Sequence, residues 1–260
     1  MNEYSLFGDY HTHTIYSHGK GTVRENVIKA RELGIKQIAI TDHSLSHIMF
    51  GLTEKKIEKQ FKDIKECRKE FDDIDILFGV ESNLIGAEGK TDISDEIADM
   101  FDVILCAYHK PVKPDKFSDL RTIYLNSYFC GLFPPTKSVL KRHTHAIIEA
   151  VKKNRIDVLS HINYALKVNC GEVAKACADY GVFIELSSRH LVTTDQDIED
   201  MLKTDVKFIL NSDAHKTSNI GNCHMAWEII KKFNISEDRI VNLNGKIPKF
   251  RSGYNNKYYK

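Results

Sequence analysis

The chain has 260 residues and a net charge of +1, from 37 basic and 36 acidic side chains. That near-neutral balance excludes a protein that coats a polyanion with broad positive charge, and no apolar stretch approaches the roughly 18–20 residues of a membrane span. A hydrophobic share of 42% is enough for a sizeable core, and the length suits one α/β barrel as a single domain.

Met1–Asp9 lacks the basic-then-apolar pattern of a secretory leader. Six cysteines (Cys67, Cys106, Cys130, Cys170, Cys177 and Cys223) are scattered without a C-x-x-C pair, several in apolar segments. Reduced thiols in a cytoplasmic protein are therefore expected. Short apolar runs then recur along the chain: Leu6–Tyr10, Gln37–Thr41, Asp75–Val80, Asp102–Ala107, Ile156–Ser160, Val182–Leu186 and Lys207–Asn211. Each reads as a strand buried on both faces.

Between them lie amphipathic segments. Thr22-Val-Arg-Glu25 is a capping box, followed by Val23, Val27, Ala30 and Leu33 on one helical face and by Gly34 at the C-terminus. Val173, Cys177 and Tyr180 repeat the pattern before Gly181, and Ile220, Trp227, Ile230 and Phe233 outline a last helix face. Strand–helix alternation predicts parallel strands, seven of them. Lys110–Thr136 breaks the rhythm with Pro111, Pro114, Pro134 and Pro135 and with aromatics that include Tyr124, Tyr128 and Phe129. It reads equally as a surface excursion or as a lid over substrate. Residues 1–243 are expected to form the barrel. Residues 244–260 form a basic extension (Lys246, Lys249, Arg251, Lys257 and Lys260) that reads as solvated or frayed.

The residues just past the strands decide the functional reading. Past the first come His11, His13 and His18; past the second, His43; past the third, Glu81; past the fourth, His109; past the fifth, His161; past the seventh, Asp213 and His215. Parallel α/β barrels open all their C-terminal strand ends onto one face, so these nine scattered groups would converge there. An open sheet would gather only the few near its switch point, which favours a closed or nearly closed barrel. In extended chain, residues i and i+2 point the same way, so His11 with His13, and Asp213 with His215, can share an ion. Imidazole and carboxylate together suit Zn, Mn or Fe, and nine donors imply two or three divalent ions, with Glu81 able to bridge a pair. His143 and His145 form another H-x-H, but on a predicted helix, where i and i+2 diverge; they read as partly exposed. His47 and His190 could line the edge of the site, whereas His224 reads as packed or solvated.

Asp9-Tyr-His-Thr-His13, Ile40-Thr-Asp-His43, Gly79-Val-Glu81 and Ser212-Asp-Ala-His215 resemble the four motifs of the polymerase and histidinol phosphatase (PHP) family, and the resemblance runs from Tyr4 to about Asn242. It is nearest to the stand-alone bacterial phosphoesterases, including the segment Ser17-His-Gly-Lys-Gly21. The resemblance implies a distorted seven-stranded TIM-like (β/α) barrel with a trinuclear metal centre. His11, His13, Glu81 and Asp213 would hold one ion; Glu81, His109 and His161 the second; His18, His43 and His215 the third. The expected chemistry is hydrolysis of small-molecule phosphomonoesters by a metal-bridged hydroxide, with no serine or cysteine nucleophile. Asp42 is expected to orient an imidazole, and Arg189, after the sixth strand, to clamp phosphate. Lys110 and Asn163 are further phosphate-binding candidates, with Arg142 and Lys216 of lower rank. Three alternatives stay open: a histidinol-phosphate phosphatase, a nuclease-like module, and a catalytically silent metal binder. The charge balance argues against the nuclease, and the sequence leaves the oligomeric state open.

Overall fold

The computed structural model describes residues 5–120, 134–190 and 192–252. Seven strands run parallel in chain order: β1 (Gly8–Asp9), β2 (Gln37–Ile40), β3 (Asp75–Asn83), β4 (Val103–Ala107), β5 (Val158–Leu159), β6 (Phe183–Ser187) and β7 (Phe208–Asn211). All seven predicted runs are strands. β1 and β5 are shorter than expected, and β3 is longer, carrying Glu81 inside the strand rather than after it.

The period of two sorts each strand into a helix-facing and an inward-facing set. Ile38, Ile40, Ile76, Phe78, Val80 and Ile104 pack outward against helices. Tyr10, Ala39, Leu77, Val103, Leu105, Val158 and Ile209 fill the barrel interior. Climbing the inward rows, apolar residues give way to polar ones: Leu77–Gly79–Glu81 on β3, Phe183–Glu185–Ser187 on β6, and Ile209–Asn211–Asp213 on and beyond β7. The barrel is thus dry at one end and lined with ionisable groups at the other.

Helices cover the outside. α1 (Val23–Glu32) starts at the predicted box: Thr22 accepts from Glu25 N–H and donates its own backbone N–H to Glu25 Oε2 at 2.7 Å. Gly34 (φ +75°) and Gly181 (φ +68°) end their helices in the left-handed region, as expected. Two corrections concern helix faces. The last long helix is His224–Lys232, so Ile220 precedes it while still packing in the core. His143, expected to be partly exposed, is fully buried in the helix Lys137–Lys153, with Nδ1 bonded to the Lys167 carbonyl at 3.1 Å; His145 is exposed.

β1 and β7 share no regular ladder. Their seam is stitched by side chains: Asn211 Oδ1 accepts from Tyr10 N–H (2.9 Å), and Asn242 Nδ2 donates to Gly8 O (2.9 Å) and Leu210 O (2.7 Å). Only past the strand ends do backbones meet, His13 N–H donating to Ala214 O (2.8 Å) and Ala214 N–H to His11 O (3.1 Å). At the dry end the basic extension is anchored rather than frayed as far as Ser252, with Lys249 and Arg251 exposed as expected. Phe250 meets Tyr10 edge-on at 5.1 Å, and Ser252 bonds Asp157 through N–H (2.9 Å) and Oγ (2.5 Å). Lys257 and Lys260 lie outside the described residues, as do Cys130, Tyr124, Tyr128 and Phe129 of the proline-rich connection. Cys67, Cys106, Cys170, Cys177 and Cys223 are free and buried. Among the described residues no helix is long and apolar enough to cross a membrane.

Gly79 on β3 has no room for a side chain between its neighbours. A Cβ there would lie 2.6 Å from Thr41 Cγ2 and 2.7 Å from Val103 Cγ1. Gly79→Ala should therefore cost on the order of 1–3 kcal/mol, as overpacking of a tight core does. A denaturant melt checks this; an unchanged midpoint would mean that the strands give way freely.

Candidate metal centre

The polar end of the barrel is built around one carboxylate. Glu81 is fully buried, and five imidazole nitrogens surround it: His43 Nδ1 (2.9 Å), His161 Nε2 (2.9 Å), His11 Nε2 (3.2 Å), His109 Nε2 (3.2 Å) and His13 Nε2 (3.5 Å). Asp213 Oδ1 lies beside them, 3.3 Å from His215 Nδ1, 3.4 Å from His13 Nε2 and 3.7 Å from His11 Nε2. Local chain geometry explains the gathering. His11 and His13 flank Thr12, whose hydroxyl turns away to donate to Ala39 O on β2 at 2.7 Å. His43 continues β2 and bridges to Glu81 on β3. Asp213 (φ +50°) and His161 (φ +28°) are held at positive φ, which is uncommon outside glycine and which the surrounding structure maintains here.

Eight of the nine predicted ligands fall into groups whose donor atoms could share an ion: His13 with His43 and His215; His11 with His161 and Asp213; His11 with His13 and Glu81; and His43 with Glu81 and His109. His18 is in none of these groups, although its ring stacks on His43 at 4.7 Å and lies 3.9 Å from that of His215.

The donor set fits divalent cations on a specific ground. Among the described residues, His11 Nε2, both nitrogens of His13, His18 Nδ1, His43 Nδ1, Glu81 Oε2 and Asp213 Oδ1 are buried and have no hydrogen-bond partner. Buried polar atoms are ordinarily satisfied, so this many unpartnered nitrogens and oxygens side by side suit a shared positive charge. Electrostatics agrees. Burial holds His43 down to about 3 and, reinforced by Arg189, His18 to about 4; burial and His43 hold His13 well below the ordinary imidazole value. These rings are neutral near pH 7, the form that ligates. Burial would raise Glu81, but His109, His11 and His43 keep it well below the usual carboxylate range. Burial lifts Asp213 to about 7. Burial disfavours a charged His11, yet Glu185, Glu81 and Asp213 hold it well above the ordinary value; a cation among these carboxylates would replace that proton electrostatically.

Several residues that position this cluster were not singled out in the sequence. Glu185, at the centre of β6, accepts from His11 Nδ1 (2.7 Å), His161 N–H (3.0 Å) and Asn211 Nδ2 (2.9 Å). The sixth strand, expected to contribute only Arg189, thus supplies the acid that fixes two imidazole-bearing segments. Its one visible signal is an acid in the middle of an apolar run, Phe-Ile-Glu-Leu-Ser. Asn83 Oδ1 pairs with His109 Nδ1 at 2.7 Å and is itself held by Asp92 and Ser44. Asp9 fixes Ser212, next to Asp213, through N–H (3.1 Å) and Oγ (2.5 Å).

The remaining candidates separate. Arg189 and Lys110 line the cavity above the cluster, together with His47 and His190, while Arg142 and Lys216 do not. Asn163 is corrected: its amide is consumed by Val168 N–H (2.8 Å) and Cys170 Sγ (3.1 Å), and it lines a separate small cavity. Asp42 also has a different task from the one expected. It accepts from Thr14 N–H (2.7 Å), Thr14 Oγ1 (2.5 Å), Ser17 Oγ and Gln60 Nε2 (2.5 Å), and its nearest imidazole nitrogen, on His13, is 3.9 Å away. It therefore pins the loop between His13 and His18 rather than a ring.

Comparison with known proteins agrees with this geometry. A family model described as PHP domain matches residues 9–189. A protein named "Probable phosphatase" from Thermoanaerobacter sp. strain X514 is 28% identical, with 93% of each chain covered. A protein of the same name from Vibrio parahaemolyticus is 28% identical, covering 90% of this chain and 87% of its own. Among solved structures, histidinol phosphate phosphatase from Lactococcus lactis, determined with zinc, L-histidinol and phosphate, superposes with a TM-score of 0.59 at 19% identity, covering 89% of this chain and 95% of its own.

Glu185→Gln keeps the shape but removes the charge behind His11. Loss of such an outer partner typically weakens metal affinity about 10–100-fold. Titrating metal-stripped protein with zinc against a chromophoric chelator should show that loss, and an unaltered affinity would remove Glu185 from the positioning network.

Proposed function

This chain belongs to the PHP domain family, and from that premise we propose that it is a metal-dependent phosphatase that hydrolyses phosphomonoesters of small molecules. The observation that carries the reading is the buried Glu81 carboxylate among five imidazoles, three of which (His11, His13 and His43) have buried nitrogens with no hydrogen-bond partner. The proposed ligands are His11, His13, Glu81 and Asp213 for one ion, Glu81, His109 and His161 for a second, and His18, His43 and His215 for a third. Divalent ions bound there would supply Lewis acidity, lowering the pKa of water and neutralising charge on phosphate oxygens.

The protein's own groups do the rest. Glu185 and Asn83 accept the Nδ1 protons of His11 and His109, so each ring presents Nε2 as a lone pair toward Glu81. Arg189 stands at the cavity with no carboxylate partner among the described residues, and its fork of N–H donors suits two phosphoryl oxygens. Lys110 adds a second positive charge at the same mouth. Both favour a dianionic ester and stabilise charge that grows on its oxygens during transfer to water. Asp42 acts indirectly, by keeping the Thr14–Ser17 loop and therefore His18 in place.

Hydrolysis of p-nitrophenyl phosphate tests the reading. Chelation should abolish turnover, zinc or manganese should restore it, and His43→Ala should stay at least about a hundredfold below wild type after restoration. A protein that binds ions yet hydrolyses no monoester with any of them would overturn it. Arg189→Ala should raise KM or lower kcat with metal content intact; unchanged kinetics would remove the clamp.

A further inference from the structure

The open cavity over the histidines has a volume of about 440 Å3, and its charges are sorted between floor and wall. Its floor is the imidazole and carboxylate cluster. Met49, Phe50 and Pro111 contribute apolar wall, as do Tyr164 and Ala165. Met49 is 67% exposed and Tyr164 43%, so both offer surface that a bound molecule can cover. The formal charges at the mouth, Lys110 and Arg189, are both positive. The acids that line the cavity are Glu81 and Asp213, and both belong to the floor, each within 4 Å of several imidazoles. Among the described residues no other carboxylate reaches it. In the rest of the chain the sole acid is Glu3; residues 121–133 contain neither Asp nor Glu.

Resting on the phosphatase reading above, we infer that the site selects phosphate esters of flat or apolar alcohols that carry no positive charge, and rejects amino-alcohol phosphates, histidinol phosphate included. A primary ammonium entering this cavity would give up water and find, among the described residues, no carboxylate beyond Glu81 and Asp213 of the floor, which the imidazoles already surround. It would instead meet Lys110, Arg189 and whatever ions the floor holds, all of its own sign. Nor are the aromatic walls free to cradle a cation on both faces, because Phe50 stacks on His18 at 4.7 Å and Tyr164 on His190 at 3.8 Å. A planar, uncharged group has the opposite balance. It covers Tyr164 and Met49 at no electrostatic cost, and a carboxylate at its far end gains from Lys110.

Three phosphate esters of one phenol core separate these cases: para-ethyl, para-(2-carboxyethyl) and para-(2-aminoethyl), assayed with the zinc-loaded protein. The first two should exceed the third in kcat/KM by at least about tenfold, which one uncompensated charge in a confined site readily produces. Lys110→Glu should narrow that gap by favouring the aminoethyl ester. Tyr164→Ala should raise KM for the ethyl ester more than for glycerol phosphate. Equal or better use of the aminoethyl ester would overturn the selectivity while leaving the phosphatase reading intact. If no ester is hydrolysed, that reading fails and the selectivity falls with it.

Discussion

A carboxylate buried without a counter-charge costs several kcal/mol even after the protein relaxes. Glu81 is such a group, fully buried at the upper end of the barrel interior. The fold surrounds it with five imidazoles from four separate stretches of the chain, which a parallel barrel brings to one point. Buried nitrogens of His11, His13 and His43 are left without hydrogen-bond partners, and they are the reason the cluster suits cations. The dry lower interior and the capping Phe250 serve the same constraint, since they keep water from approaching Glu81 from below.

Much of this was legible because strand ends are legible. Apolar runs marked seven strands, and the groups just beyond or within them marked one face, so the cluster could be anticipated without any contact information. What stayed hidden were residues whose partners are distant in sequence. Glu185 looks like a stray acid in a strand until His11, 174 positions away, is seen against it. Asp42 stands beside His43 in sequence, which suggests a ring as its partner, but its lone pairs are taken by Thr14, Ser17 and Gln60. Asn163 comes after a strand end as a phosphate-binding residue would, yet its positive φ turns it into a local loop brace. His143 could not be placed by helical period alone, because burial depended on the Lys167 carbonyl arriving from the next loop.

The same inward rows also explain why the cavity is so uneven in charge. Each row spends its acid at depth: Glu81 and Glu185 lie within strands, and Asp213 just past one. Among the described residues no further acid lines the cavity, where loops contribute Lys110, Arg189 and apolar side chains instead. Depth along a strand thus becomes a sorting device, with negative charge at the floor and positive charge at the mouth.

The seam between β1 and β7 carries a mechanical consequence. Other neighbouring strands are laced by backbone ladders, but here Asn211, Asn242 and Asp9 do the lacing through side chains. His11 belongs to one lip of that seam and Asp213 to the other. An ion gripped by both would act as a rivet across the joint, so the emptied protein should gape first along this line and spring shut on loading. Amide exchange at Tyr10, His13 and Ala214, measured with and without zinc, would register the rivet directly; indifference to zinc would mean that the asparagines alone hold the hoop closed.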